Sequence, residues 1–136
     1  MSPKARSRHM AKIRSRDTKP ELAVRRALRL LGFKFRSGNT TVARLPGRPD
    51  FVLSDRATVL FVHGCFWHRH MNCAANRTPK TNIAFWRKKF AGNIARDRKA
   101  TRELRRLGWR VLTLWECQTG SQNHLLQLLD RKLAAT

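Results

Sequence analysis

The chain has 136 residues, enough for one domain with a buried core and too few for two ordinary domains. Thirty Lys and Arg against eight Asp and Glu give a formal net charge of +22, so the expected partner is a polyanion such as nucleic acid. No apolar run approaches the roughly 18 residues of a membrane span, and no secretory leader pattern follows the basic N-terminus, so the sequence predicts a cytoplasmic protein.

The N-terminal 17 residues are rich in Lys and Arg and poor in apolar side chains. Such a segment cannot bury enough surface to fold alone, so residues 1–17 are predicted to be an arm that becomes ordered on DNA. Residues 18–136 are predicted to form a single domain. Its first helix should begin at Thr18 and end at Gly32, because apolar residues between them recur at helical spacing.

Short strands are predicted after this helix. One should begin at residues 33–35. The apolar runs 50–53 and 58–62 flank the polar turn Ser-Asp-Arg, so they should pair as a hairpin.

The second half of the chain predicts a long helix over 81–107 with an interruption near Gly92, a strand over 109–115 and a last helix over 122–134. The resulting order is helix, three strands, helix, strand, helix. This order predicts an α/β fold with a small mixed sheet flanked by helices.

Cysteine and histidine residues form a cluster in an irregular part of the sequence. Cys65, His70 and Cys73 lie close together, and Cys117 follows a predicted strand. Structural zinc takes four N and S ligands, so this set predicts a zinc site that joins two chain segments. His68 lies as close to the cluster as His70 does, and the spacing leaves both open as the fourth ligand. The alternative is that the cysteines pack as small apolar groups.

Asp50 opens the predicted hairpin. The partner strand ends at His63, so the hairpin would bring Asp50 beside residues 62–63. A carboxylate, a backbone carbonyl and an imidazole would suit Mg²⁺ beside a proton-transfer group, and a divalent cation would explain an acid on a phosphate-binding surface. Alternatively, Asp50 is an ordinary turn residue at a strand start.

Two further acids have unusual neighbours. Asp97 has no cationic residue three or four positions away, and it lies on a neutral helical stripe formed by Phe90, Asn93, Asp97, Thr101 and Leu104. That position is unusual for a solvated acid. Glu21 ends the capping box that begins at Thr18, and the cap alone would explain it, so its functional role stays open.

Aromatic residues lie among the cations. Phe66 and Trp67 fall inside the cysteine and histidine loop, and Trp86 precedes Arg-Lys-Lys. Aromatic side chains on a basic loop suit stacking on bases or wedging between base steps, whereas core packing is the alternative. Core packing is our interpretation for Trp109 and Trp115, which lie in a predicted strand.

These motifs together resemble the very short patch repair endonucleases, the Vsr proteins. The resemblance covers about residues 8–118 and rests on separate segments in the same order: LPGRPDFV at 45–52, FVHGCFWH at 61–68, Phe85-Trp86 through NIARDR at 93–98, and LGWRVL at 107–112 through WEC at 115–117. It implies a restriction-endonuclease-like core. It also implies strand-specific nicking of double-stranded DNA 5′ to the T of a T:G mismatch left by deaminated 5-methylcytosine. We expect the protein to be a monomer. Mismatch-repair proteins are candidate partners.

The resemblance also implies residue roles. Asp50 would bind catalytic Mg²⁺ with the backbone carbonyl of Val62, His68 would act as general base, and Asp97 would support His68. Two further active-site members are implied, His63 and Glu21. The ligands of structural Zn²⁺ would be Cys65, His70, Cys73 and Cys117. The side chains that enter the duplex beside the mismatch would be Phe66, Trp67 and Trp86.

The chain departs from the family pattern at Met71-Asn72, which lengthen the gap before Cys73, and it lacks the Glu-x-Lys signature of the wider nuclease superfamily. Two competing hypotheses are a non-catalytic, zinc-stabilised nucleic-acid-binding protein and a restriction-type nuclease that cuts both strands. The non-catalytic hypothesis gives no reason for Asp50 beside two histidines or for Asp97 on a neutral stripe.

Overall fold

The computed structural model describes residues 19–37, 45–71, 73–74, 77 and 79–134. The basic arm predicted over residues 1–17 lies outside the described part of the chain. The order of elements is the predicted one, and the α/β class with a small mixed sheet is confirmed. None of the described helices is long and apolar enough to cross a membrane.

The elements are α1 (Lys19–Leu30), β1 (Arg36–Ser37), β2 (Phe51–Leu53), β3 (Thr58–His63), α2 (Ile83–Arg106), β4 (Arg110–Trp115) and α3 (Gln122–Ala134), with short 3₁₀ turns at Ser54–Arg56 and Glu116–Gln118.

Most element boundaries fall within one or two residues of the sequence predictions, and two features differ from them. The strand expected to begin at 33–35 is assigned only at Arg36–Ser37. Gly32 has a φ of 80° and the Phe33 N–H donates to the Leu28 carbonyl, so Phe33 closes the end of α1 instead of pairing with a strand. The predicted interruption at Gly92 is also wrong, because α2 is continuous through it. One glycine costs a helix only about 1 kcal/mol, and buried side chains hold α2 on both sides of it.

The sheet has the order β1-β2-β3-β4. β2 and β3 are antiparallel, with Phe51 opposite Leu60, which confirms the predicted hairpin. β3 and β4 are parallel, with His63 opposite Trp115, and α2 lies in the connection between them. The carboxyl ends of β3 and β4 therefore emerge side by side at one end of the sheet.

Both faces of the sheet are covered. The side chains of Phe51, Leu53, Leu60 and Leu114 pack in one buried cluster with α1 and α3. The intervening side chains of Val52, Val59 and Phe61 pack in a second cluster with Leu104 of α2. This alternation is the two-residue period of a strand, and burial on both faces explains why the strand sequences are almost continuously apolar.

The turn before Asp50 is pressed against α2. Gly47 has a φ of 73°, and a Cβ built there would lie 2.5 Å from the Ala100 Cβ and 3.3 Å from the Phe61 Cζ. Immediately after the turn, the Asp50 N–H donates to the Leu60 carbonyl at 2.9 Å. The absence of a side chain at Gly47 thus lets the turn deliver Asp50 to β3.

Replacing Gly47 with Ala should destabilise the fold by about 2 kcal/mol or more. The substitution would strain a left-handed backbone conformation and would also bring the new Cβ into a clash with the Ala100 Cβ of α2. Gly108 is the matched control, since its φ is 96° but nothing lies within 4 Å of an added Cβ. Urea unfolding of G47A and G108A measures the difference. Equal destabilisation in the two variants would show that the packing against Ala100 contributes nothing.

Candidate active site and metal centre

Asp50 lies where β2 begins, beside the end of β3. Its Oδ2 accepts a hydrogen bond from the Val62 N–H at 2.7 Å. The N–H and C=O of one strand residue point toward the same neighbouring strand, so the Val62 carbonyl faces the Asp50 side, beyond the last β2–β3 pair. The structure thus brings together the two oxygen donors expected for a divalent cation.

The electrostatics around Asp50 favour a bound cation. The pKa of Asp50 is raised from 3.8 to about 6, chiefly by burial. The hydrogen bond from the Val62 N–H opposes this rise, the negative charge of Glu21 adds to it, and His68 opposes it. Glu21 is only 4% exposed, on the face of α1 that packs against the sheet. Two carboxyl groups therefore interact in a poorly solvated space, and a hard cation with oxygen ligands such as Mg²⁺ fits this donor chemistry.

His63, His68 and Asp97 form a compact group. The His68 Nδ1 lies 2.6 Å from the Asp97 Oδ2. The rings of His63 and His68 are stacked, with centroids 3.8 Å apart and planes 5° from parallel. The structure therefore brings Asp97, at the centre of the neutral stripe of α2, to the histidine that it was expected to support.

The contact with Asp97 determines which nitrogen of His68 can accept a proton. A carboxylate oxygen accepts, so Nδ1 donates, and Nε2 is the nitrogen positioned to exchange a proton. Burial, and then the charge of His68, lower the pKa of His63 to about 4. At neutral pH His63 is therefore an uncharged ring against His68.

Cys65, His70, Cys73 and Cys117 converge in a second group. One ligand atom from each lies within 4.8 Å of all the others. The His70 Nδ1 is 3.7 Å from the Cys65 Sγ and 3.5 Å from the Cys117 Sγ. Tetrahedral zinc with ordinary bond lengths separates sulfur and nitrogen ligands by about 3.6 Å. This geometry fits zinc and places His70, through its Nδ1, with the thiols.

The thiols themselves fit a metal centre better than a dry core. The pKa of Cys65 is raised to about 12, chiefly by burial; the Cys117 N–H lowers it, and the neighbouring thiols of Cys117 and Cys73 raise it. A divalent ion reverses this preference, because a coordinating thiol is deprotonated outright. The described residues nearest Cys73, Met71 and Ala74, belong to no helix or strand, so coordination would supply stability that packing does not.

The three aromatic residues singled out from the sequence are in mutual contact. The Phe66 ring lies 5.1 Å from Trp67 and 5.8 Å from Trp86, and Trp67 lies 5.8 Å from Trp86. Buried Phe90 anchors this aromatic cluster at 5.2 Å from Phe66, and Phe85 continues it into solvent at 58% exposure. The cluster is therefore a ridge with a buried base.

Cations and one amide hold this ridge in place. The Arg69 guanidinium lies 4.0 Å from the Phe90 ring centroid, and the Lys89 Nζ lies 5.6 Å from the Trp67 centroid. The Asn93 Nδ2 donates to the Trp67 carbonyl at 3.1 Å. Asn93 precedes Asp97 by one turn of α2, so one helix face contacts two consecutive loop residues, Trp67 and His68.

Sequence reasoning missed Trp115 as a site residue and assigned it to the core. The Trp115 ring stacks on His70 at 4.2 Å and meets His63 edge-on at 5.4 Å. It therefore contacts both groups at once. The signal was present in the sequence only as its position, two residues before Cys117 at the end of a strand.

Comparisons with known proteins place this arrangement in context. Residues 1–75 match the family model described as DNA mismatch endonuclease Vsr. The chain is 45% identical to the DNA mismatch endonuclease Vsr of Escherichia coli K12 over 82% of this chain and 69% of that protein. It is 42% identical to the type II nicking enzyme V.XorIIP of Xanthomonas oryzae over 87% of this chain and 84% of that enzyme. It is 41% identical to the type II nicking enzyme V.NmeAIP of Neisseria meningitidis over 93% and 87%, respectively.

Replacing Asp50 with Asn should raise the thermal midpoint of the protein by a few degrees at pH 7.5 in Mg²⁺-free buffer. Because its folded pKa of about 6 lies above 3.8, Asp50 contributes stability that is fully present below 3.8 and is lost as the pH rises through 6. The advantage of D50N should therefore narrow as the pH falls from 7.5 to 5. Thermal unfolding at several pH values tests this, with D55N at an exposed acid as control. If the difference in thermal midpoint between D50N and wild type instead widened toward pH 5, the raised pKa of Asp50 would be contradicted.

Replacing Cys117 with Ser should lower zinc content and thermal stability together, since a weak hydroxyl ligand replaces a thiolate in the cluster. Zinc is measured by atomic emission on protein purified without added metal, and stability by thermal unfolding. A folded C117S protein that retains one equivalent of zinc would remove Cys117 from the ligand set.

Proposed function

Because the chain belongs to the Vsr family of DNA mismatch endonucleases, we propose that it nicks one strand of duplex DNA 5′ to the T of a T:G mismatch. Such mismatches arise when 5-methylcytosine is deaminated, and the nick would begin very short patch repair. Catalysis would use Mg²⁺, and Zn²⁺ would hold the fold around the catalytic loop.

One observation carries this proposal. A carboxylate in surroundings that favour a cation, Asp50, lies within electrostatic reach of a histidine that is already oriented by a second carboxylate, Asp97. Hydrolysis of a phosphodiester needs these two functions next to each other, one for charge on the phosphate and one for the proton of the attacking water. A protein that only binds DNA needs neither.

Asp50 and the Val62 carbonyl would hold Mg²⁺, with Glu21 contributing negative charge behind Asp50. When bound there, the ion would stabilise the charge that develops on the scissile phosphate. The Val62 N–H bond keeps the Oδ2 of Asp50 oriented while the carboxylate's other lone pairs stay available for the ion.

His68 would accept the proton of the attacking water at Nε2, since Nδ1 faces Asp97. The imidazolium that forms would be stabilised on one side by the Asp97 carboxylate. On its face it would meet the neutral ring of His63, whose lowered pKa prevents a second positive charge at 3.8 Å. His63 would thus keep the base close to its carboxylate without competing for the proton.

The aromatic ridge would supply mismatch selectivity. Phe66, Trp67 and Trp86 would enter the duplex beside the mismatch, where unstacking costs less than in a matched helix. The chain's net charge of +22 would bind phosphates on either side of that point without reading sequence. Discrimination then comes from the free energy of deforming the duplex.

The decisive experiment is cleavage of a duplex labelled on each strand and carrying one T:G mismatch in a cytosine-methyltransferase site, beside its T:A counterpart. With Mg²⁺ added, wild type should cut only the strand that carries the mismatched T, at the phosphodiester 5′ to that T. Mg²⁺ should be omitted, not chelated, in the blank reactions so that zinc stays bound. D50N should lose at least about a thousandfold in rate, as expected when charge stabilisation at a reacting phosphate is removed, and should still bind the mismatched duplex.

D55N is the matched control, because it removes an exposed acid from the far end of the hairpin and should nick at the wild-type rate. Equal cutting of the mismatched and matched duplexes, or cutting of both strands, would contradict a mismatch-repair function and would indicate a restriction-type nuclease. Nicking by D50N at the wild-type rate would refute the assignment of the metal ligand.

A further inference from the structure

Four side-chain rings connect the cysteine and histidine cluster to the proposed general base. His70, whose Nδ1 lies among the thiols, stacks on Trp115 with centroids 4.2 Å apart. The Trp115 ring meets His63 edge-on at 5.4 Å and an angle of 75°. His63 stacks on His68 at 3.8 Å. The series therefore runs without a gap from a cluster that fits zinc to the histidine that contacts Asp97.

The backbone determines where Trp115 stands in this series. It is the last residue of β4 and lies directly opposite His63, the last residue of β3. Its N–H donates to the Gln118 Oε1 at 2.9 Å, which holds the 3₁₀ turn that carries Cys117. The Cys117 N–H in turn donates to the Cys65 Sγ at 3.4 Å. Trp115 is thus attached on one side to the cluster and on the other side to the histidine pair.

We propose that Trp115 is a positioning residue through which the cysteine and histidine cluster sets the place of the catalytic histidine. This inference rests on the proposed function. It gives a role to a residue that is neither a proposed catalytic residue nor a proposed metal ligand. Trp115 does not touch the reacting atoms in this scheme. It supports the His63 ring, which supports the face of His68.

The physical reason is the small number of contacts that orient His68. Among the residues that the structure describes, its ring makes one side-chain hydrogen bond, to Asp97, and has one stacked partner, His63. A hydrogen bond alone leaves the imidazole free to tilt about the Nδ1 contact, and the stacked ring removes that freedom. The His63 ring in turn contacts Trp115 at 5.4 Å and Phe61 at 5.5 Å. Of these two rings, Trp115 is the one that also stacks on a member of the cysteine and histidine cluster. Metal binding at His70 would therefore stiffen the catalytic group as well as the fold.

The test compares W115L with W109L. Trp109 is a matched control, because it is a partly buried tryptophan at the opposite end of β4 and packs in the second core cluster. W115L should lower the single-turnover nicking rate on the T:G duplex by roughly ten- to a hundredfold, the scale of a displacement near 1 Å at a reacting group. Its DNA dissociation constant and zinc content should stay within about twofold of wild type, and W115F should recover part of the rate because it restores a ring edge.

A second variant separates this role from simple loss of folding. H70C offers zinc four sulfur ligands and so keeps the metal, but it removes the ring that stacks on Trp115. It should hold one zinc and nick several-fold more slowly than wild type. A zinc-loaded W115L that nicks at the W109L rate overturns the proposal. If W115L loses its zinc, H70C decides: a wild-type rate in zinc-loaded H70C overturns the proposal, and a reduced rate supports it.

Wild type in the same assay separates this inference from the proposed function. If wild type fails to nick the T:G duplex, the proposed function fails, whatever the variants do. If wild type nicks and W115L nicks equally fast with zinc bound, only the role of Trp115 fails. Tryptophan fluorescence on titration of zinc into metal-free protein gives a readout without activity. Because the chain has four tryptophans, the contribution of Trp115 is the part of the emission change that W115F loses. This part should be present in wild type and absent in H70C, which lacks the stacked His70 ring.

Discussion

The parallel pairing of β3 with β4 is the constraint on which the rest of the structure depends. It aligns the two strands over six residues and ends them together at His63 and Trp115. The loop after β3 then carries Cys65 and His68, and the turn after β4 carries Cys117. The cysteine and histidine cluster lies beyond these strand ends, and Asp50 lies beside the end of β3. A shift of the register by one residue would exchange the faces of every side chain in β4 and separate the two groups.

The negative charges at the candidate site contrast with the strongly positive charge of the rest of the chain. Against 30 Lys and Arg, the acids near the end of β3 are withdrawn from solvent: Glu21 is buried, and Asp50 and Asp97 are half-buried. Burial of Asp50 beside Glu21 raises the pKa of Asp50 to about 6, so the metal-free site is less stable than a neutral one at physiological pH. This cost is characteristic of functional sites, where stability is given up for chemistry. A bound cation removes it.

Elements with strong periodicity could be predicted from the sequence, and α3 and the β2–β3 hairpin agree with the prediction almost residue for residue. The choice between His68 and His70 could not be made from spacing, because it depends on how the loop turns after Cys65 and which ring nitrogen faces inward. Trp115 was missed for a different reason. Its role arises from a contact between strands 52 positions apart, and its own neighbours, a run of apolar strand residues, favour core packing.

Seven consecutive residues, the loop from Gly64 to His70, carry two rings of the aromatic ridge, the proposed general base and two members of the cysteine and histidine cluster. Its supports are shared as well. Asn93 holds the Trp67 carbonyl and Asp97, one helical turn later, holds His68, so the same face of α2 fixes the ridge and the base. The cysteine and histidine cluster fixes the end of the loop through His70. Because all three attachments act on one short segment, a displacement of Phe66 and Trp67 would also move His68. In the proposed mechanism, insertion of these aromatic side chains into the mismatched duplex would therefore be coupled to the position of His68.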